Sequence, residues 1–342
     1  MRIFNTINII FRYFNIYYNL KIKNSSKLSY APEDISIEVI NTCNFKCSFC
    51  PQSDPNHFNI VNRSHLTPEK AETIIKKLRL GGVRTNVIHW TLDGEPFVNK
   101  KFHRICKIAI DYGFNKSIFS TNGYFMKLQR LKELPRHNNV KYTLCIDFCS
   151  DKTYFEKIRG SFNSWDIIFN NIKDAVNDPD LNHIDFKITD VSSYSINNKK
   201  ELKRRLQKLN LLFPEKKVKI HTRVFHNAAG FLDGILDKKK KKNILNYHIC
   251  PHPWASFVVA SNGNVVVCSR DLEHKTVMGN ILKQGLQEIW NGKKYYDLRK
   301  SMLNRKLENY NSCNSCDIHY DNSKFTLKHI LITAKNRLGI FQ

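Results

Sequence analysis

Acidic residues are scarce in this chain of 342 residues: 30 Asp and Glu stand against 55 Lys and Arg, for a formal net charge of +25. Such a bias permits anionic partners without requiring one. No residue pattern of a nucleic-acid-binding module accompanies it, so specific nucleic acid is not an expected partner. The run Lys238 to Lys242 reads as a solvated connector. Also lacking is an apolar run of membrane-spanning length: the stretch Met1 to Leu20 carries Arg12 at its middle, and no small-residue cleavage site follows. With no secretory signal, and with thiols clustered rather than dispersed, a disulfide framework is disfavoured and a reducing, cytoplasmic setting is expected. The hydrophobic content of 42% suffices for a packed core in one large or two moderate domains.

What the chain has is cysteine, ten in all, and seven of them fall into two groups. Cys43, Cys47 and Cys50 form a C-x3-C-x2-C run directly after the strand-like stretch Ile35 to Ile40. Three thiolates on a four-iron cluster leave one iron open to another ligand, which is where chemistry can occur. A zinc knuckle would need a fourth ligand, and none is obvious close by: the usual zinc spacing is paired C-x2-C or Cys/His elements, and His57 and His65 are possible but unforced. The second group is Cys250, Cys268, Cys313 and Cys316. Cys106, Cys145 and Cys149 are left over and read as small buried hydrophobes.

Between the two groups, apolar runs of strand length alternate with helical patterns. Strands are expected at 35–40, 86–92, 116–120, 141–147, 184–189 and 217–224, and helices at 100–111, 125–133, 165–176 and 199–210. A further helix starts at Thr67-Pro68-Glu69-Lys70, an N-cap followed by proline in the first turn. This alternation argues an α/β fold with a parallel sheet, whose ligands gather at the carboxyl ends of the strands. Both ends of the chain read as amphipathic helices. Asn5, Asn8, Arg12, Asn15 and Asn19 draw one polar stripe near the start, and Leu327, Ile330, Leu331, Ala334 and Leu338 one apolar face near the end. Packing against the protein's own core is the commoner role of such helices, and peripheral contact with a membrane surface the other.

The first cysteine run, with Phe49 before its last cysteine, resembles the C-x3-C-x-aromatic-C motif of the radical S-adenosylmethionine (SAM) enzymes. Asp93-Gly94-Glu95-Pro96 resembles that family's Gly-Gly-Glu-Pro turn, with Asp for the first Gly, and Thr121-Asn122-Gly123 resembles a segment bordering SAM. Cys145-Ile146-Asp147 and Phe155 to Gly160 resemble a Ser-x-Asp strand end and an aromatic-x-x-Ile-Arg-Gly segment, Cys145 standing where Ser is usual. The resemblance implies a partial (β/α)6 barrel at 31–226, a [4Fe-4S] cluster on the first three cysteines, and SAM against Phe49, Gly94, Glu95, Asn122, Asp147 and Arg159. Glu95 would face the SAM amino group and Arg159 its carboxylate, where a planar fork binds both oxygens.

From Cys250 to Asp317 the order of motifs resembles the SPASM extension of such enzymes, shortened because no cysteine follows Cys316. The resemblance implies a small Cys-rich α+β module at 250–320 carrying one fully ligated auxiliary [4Fe-4S] cluster, set off by a basic linker at 227–249 and flanked by terminal helices at 1–30 and 321–342. A four-cysteine zinc site would satisfy the same thiols. The implied activity is reductive cleavage of SAM to a 5′-deoxyadenosyl radical, hydrogen abstraction from a sugar-like or peptide substrate, and oxidation through the auxiliary cluster. An electron donor such as flavodoxin or ferredoxin is implied with it. Two other readings stand beside this one: a radical epimerase with Cys145 as hydrogen donor, and a non-catalytic metal-binding adaptor at a membrane. Asp190, His221 and His226, in or just after late strands, are the residues considered for a base.

Overall fold

Buried and accessible residues alternate along Lys141–Phe148: Tyr142, Leu144, Ile146 and Phe148 are buried, while Thr143, Cys145 and Asp147 stay partly accessible. A strand presents alternate residues to opposite faces, so the buried set packs under helices and the accessible set faces an open interior. The structure, a computed structural model, describes residues 2–137, 139–214, 217–223, 225–233, 247–320 and 326. Six parallel strands lie side by side in chain order: β1 (Asp34–Ile37), β2 (Val87–Trp90), β3 (Lys116–Thr121), β4 (Lys141–Phe148), β5 (Ile184–Asp190) and β6 (Val218–Thr222).

Helices carry the crossovers. After α1 (Arg2–Tyr17) come α2 (Pro68–Leu80), α3 (Phe102–Asp111), α4 (Leu128–Lys132), α5 (Lys152–Arg159), α6 (Ser164–Asn177) and α7 (Lys199–Leu212). Thr67 caps α2 as its sequence predicts, its hydroxyl oxygen accepting from the Lys70 amide at 3.3 Å. α4 is shorter than the expected 125–133 because the chain is still turning there, with the Met126 amide bonded to the Gly123 carbonyl.

The C-terminal module is not a satellite. Its first strand, β7 (Ser256–Val259), pairs in parallel with β1, and β8 (Asn264–Val266) and β9 (Val277–Asn280) continue antiparallel. One nine-stranded sheet results, in the order β6-β5-β4-β3-β2-β1-β7-β8-β9, and β1 ends up inside it rather than at an edge. The sheet is open, with no strand pair closing it into a full barrel among the described residues. The Asn262-Gly263-Asn264 turn forms as read: Gly263 sits at φ +87°, and a side chain there would run into Leu282.

α1 packs on the protein itself, burying Tyr13 and Ile16, with Leu20 buried just beyond its end. The orientation is unexpected. Part of its polar stripe faces the protein, with Asn19 buried and Arg12 paired to Glu33 at 3.1 Å, while the exposed Asn8 borders, with Phe11, Arg12 and Asn15, a cleft of about 870 Å3. Phe11 and Phe14, with Tyr18 and Ile22 in the following turn, are left exposed. Most of the basic linker (234–246) and the C-terminal helix lie outside the described residues.

Candidate active site

The cysteine loop after β1 is held at both ends by polar contacts that leave its centre facing the sheet's open interior. Asn41 is buried, donating to the Asn62 carbonyl at 2.8 Å and accepting from the Ser64 amide at 2.7 Å. Ser48 donates through its amide and hydroxyl to the Ile158 carbonyl of α5, at 2.9 and 3.1 Å. Gly160 ends α5 at φ +57°, so close to the loop that a Cβ would lie 2.3 Å from the Lys46 carbonyl oxygen.

Cys43, Cys47 and Cys50 line one cavity of about 580 Å3 together with Phe49, Asp93, Gly94, Glu95, Asn122, Cys145, Asp147 and Arg159. Every site residue read from the first cysteine run and the barrel motifs is therefore brought together. Burial pushes the Cys43 thiol up to about 12 and Cys47 and Cys50 upward as well. Thiols so placed keep their protons until a metal replaces them. The donor set fits a cluster held by three ligands: all three are sulfur, and His57 is engaged elsewhere, its Nε2 lying 2.8 Å from Asp93 Oδ2 with both side chains buried.

Asp93, at the position where the resembling motif has glycine, is tied down rather than free. Its Oδ1 accepts from Gln52 Nε2 at 2.7 Å and from the Gly94 amide at 2.9 Å, and it lies 4.0 Å from Cys50 Sγ. Gly94 is needed for two reasons: φ is +73°, and a Cβ would sit 2.0 Å from the Ile40 carbonyl oxygen. Glu95 is buried and pins the end of β3, accepting from Thr121 Oγ1 at 2.7 Å, the Asn122 amide at 2.6 Å and the Phe97 amide at 3.1 Å. Asn122 reaches back to the cysteine loop, its Nδ2 donating to Asn44 Oδ1 at 2.9 Å and to Cys43 Sγ at 3.5 Å.

Asp147 holds two arginines, Arg159 at 3.1 Å and Arg223 at 2.6 Å. Arg159 is buried, with its guanidinium 5.5 Å from the ring centres of both Phe45 and Phe49, and its Nε has no hydrogen-bond partner. A buried guanidinium with donors to spare is suited to a carboxylate. Arg223 lay outside the sequence reading; the signal for it was a charged residue just beyond β6, at the carboxyl end of a parallel strand. Cys145 lines the cavity, and burial pushes its thiol up to about 11.

The three residues considered for a base fare differently. Asp190 is buried and accepts from the Ser192 amide, and neither it nor His221, which contacts Thr189 Oγ1 at 3.2 Å, lines the cavity. His226 does line it, but its Nδ1 accepts from the Ala228 amide at 3.2 Å. A neutral ring then carries its proton on Nε2 and serves as a donor rather than a base.

Cys250, Cys268, Cys313 and Cys316 converge on a second, much smaller space of about 20 Å3. Burial raises all four thiols, Cys268 to about 12. Four sulfurs around a space this small fit a fully ligated group.

Family models match both halves of this arrangement: the radical SAM superfamily over residues 37–178 and the SPASM iron-sulfur cluster-binding domain over 250–317. The chain is a radical SAM enzyme with a SPASM domain. Such an enzyme uses SAM and [4Fe-4S] clusters as cofactors, and the adaptor and zinc readings are set aside. Among curated relatives, this radical SAM enzyme is 24% identical over 284 residues to the S-adenosyl-L-methionine-dependent 2-deoxy-scyllo-inosamine dehydrogenase of Niallia circulans, covering 83% of this chain and 92% of that one. The fold matches the crystal structure of BtrN in complex with AdoMet and 2-DOIA, with TM-score 0.56 and 21% identity, over 88% of this chain and 97% of that one. It also matches Streptococcus suis SuiB bound to precursor peptide SuiA, with TM-score 0.55 and 14% identity, over 92% of this chain and 76% of that one. No described helix of this radical SAM enzyme is long and apolar enough to cross a membrane.

Proposed function

We propose that this enzyme oxidises a sugar-like substrate, or alternatively a peptide, with Cys43, Cys47 and Cys50 holding the SAM-binding cluster and Cys250, Cys268, Cys313 and Cys316 an auxiliary one. One observation carries the reading: the cavity at the three-cysteine loop is walled on its other side by the C-terminal module, through His252, Ser269, Arg270 and Leu272. A substrate there touches both halves of the protein. Similarity to an inosamine dehydrogenase favours the sugar-like class.

A cluster held by Cys43, Cys47 and Cys50 would supply the one-electron reduction of SAM that allows a hydrogen atom to be taken from a substrate C–H bond. Arg159 binds the SAM carboxylate, Gly94 lets the backbone approach, and the Glu95 carboxylate faces the SAM amino group while keeping the Asn122 turn in place. Phe49 and Asp147 complete the SAM site, Asp147 by fixing Arg159. Cys250, Cys268, Cys313 and Cys316 would hold the group that takes the substrate's second electron, its proton leaving to water, so that the net change would be a two-electron oxidation. The first electron comes from a flavodoxin- or ferredoxin-type donor, whose acidic surface suits a chain of net charge +25.

The deciding experiment is anaerobic reconstitution with iron and sulfide, followed by assays of metal and of reductant-dependent 5′-deoxyadenosine. About eight irons per chain, with cleavage lost when Cys43, Cys47 and Cys50 are all changed to Ala, is the expected result. About four irons, or cleavage that survives in the variant, overturns the assignment.

The placement of Cys145 favours a second reading, redox-neutral epimerisation, because a thiol lining the cavity and kept protonated by burial can return a hydrogen atom. Cys145→Ala would then still form 5′-deoxyadenosine but release no epimer; unchanged turnover ends that reading. A peripheral membrane contact is also proposed. Phe11, Phe14, Tyr18 and Ile22 form an exposed stripe beside the exposed Lys23, a pattern suited to shallow insertion among anionic lipids. Protein that stays out of the pellet with anionic vesicles at physiological salt overturns it.

A further inference from the structure

The two cavities meet at one wall. The large cavity at the three-cysteine loop and the small void inside the four module cysteines share two lining residues, His252 and Arg270. Arg270 follows Cys268 by two positions, and its side chain is 18% exposed. Its Nη1 lies 3.5 Å from Asp317 Oδ1, too long for a hydrogen bond, and neither atom has another hydrogen-bond partner. Its guanidinium cation stands at the border of the four-cysteine space and the larger cavity. A guanidinium does not lose its proton in proteins, so this charge is present at any working pH. A fixed cation next to a redox group stabilises the form that carries the extra electron, and low local dielectric strengthens the effect.

We infer that Arg270 is the positioning residue that makes the auxiliary site an electron acceptor: facing the substrate cavity on one side and the four cysteines on the other, it raises the auxiliary cluster's reduction potential, and Asp317 partly offsets it. This rests on the proposed role of that cluster as the acceptor of the substrate's second electron. One electron leaves the substrate radical, the oxidised auxiliary cluster is reduced by one, and the proton goes to water.

The test is a redox titration followed by electron paramagnetic resonance on the full chain with Cys43, Cys47 and Cys50 replaced by Ala, so that only the auxiliary site carries a cluster. At the parent's midpoint, Arg270→Gln should lower the reduced-to-oxidised ratio at least tenfold, about 59 mV for a one-electron couple. Arg270→Lys should lower it less, since the charge remains, and Asp317→Asn should raise it. A ratio within twofold of the parent in Arg270→Gln, or Asp317→Asn moving the potential downward, overturns the inference. If Arg270→Gln takes up no iron, the sign of the Asp317→Asn shift decides alone. A parent without any cluster signal overturns the acceptor reading and this inference together, whereas an unmoved midpoint in iron-loaded protein overturns this inference only.

Discussion

The two cysteine sites differ in how they are built. Cys43, Cys47 and Cys50 come from one short loop and line a cavity of about 580 Å3, whereas Cys250, Cys268, Cys313 and Cys316 come from three segments and line a space of about 20 Å3. A large site with three sulfurs has room for a reactant; a small one with four has room for little beyond the group they hold. The small site nevertheless meets the large cavity, through His252 and Arg270. Such proximity suits the two one-electron events proposed above.

The sharpest way to break that comparison is to remove the cysteines one set at a time. Any one of Cys43, Cys47 or Cys50 changed to Ala should abolish 5′-deoxyadenosine formation. Changing Cys313 or Cys316 to Ala should leave SAM cleavage measurable while oxidised product disappears; equal losses of both would erase the distinction. Next in size is Gly94→Ala, which forces a Cβ against the Ile40 carbonyl at a positive φ and should cost on the order of 3 kcal/mol in chemical denaturation while removing SAM binding. Arg159→Lys should weaken SAM binding by roughly 10- to 100-fold in calorimetry, since an ammonium cannot reproduce the planar fork. Arg223→Lys, at a more exposed position, should weaken it less.

The smallest effect concerns the joint between the two regions. Glu38 is fully buried, accepting from the Ser261 amide at 2.9 Å, the Ser261 hydroxyl at 2.7 Å and the Asp93 amide at 3.2 Å. Burial raises its carboxyl from 4.5 to about 7. The folded chain therefore holds this proton more tightly than the unfolded one. The contribution is fully present below pH 4.5 and is lost as pH rises toward 7, by up to ~3 kcal/mol. Glu38→Gln should flatten that part of the stability-versus-pH curve; a variant with the same slope as the parent would show that other groups cause it.

Much of this was legible locally. The alternation along Lys141–Phe148, the cap at Thr67 and the cysteine spacings are properties of a few neighbouring residues, and the strands appeared within a few residues of their expected ends. What was hidden depends on partners far along the chain. That β7 would extend the sheet beside β1 is not encoded in either segment's own pattern. That Asp93 would bind His57, or Asp147 take a second arginine from beyond β6, follows only once the strands are set side by side. The polar stripe of α1 was visible as a stripe, but periodicity says only that two faces differ, not which one meets the core.

The pairing of β1 with β7 also sets an order of events in the cell. Residues 34–37, which lead into the three-cysteine loop, gain their second neighbouring strand only when residues 256–259 have been synthesised. Contacts this remote in sequence form late. The three-cysteine loop is thus among the first parts made, while the sheet that frames it is completed only after the first strand of the C-terminal module has been made.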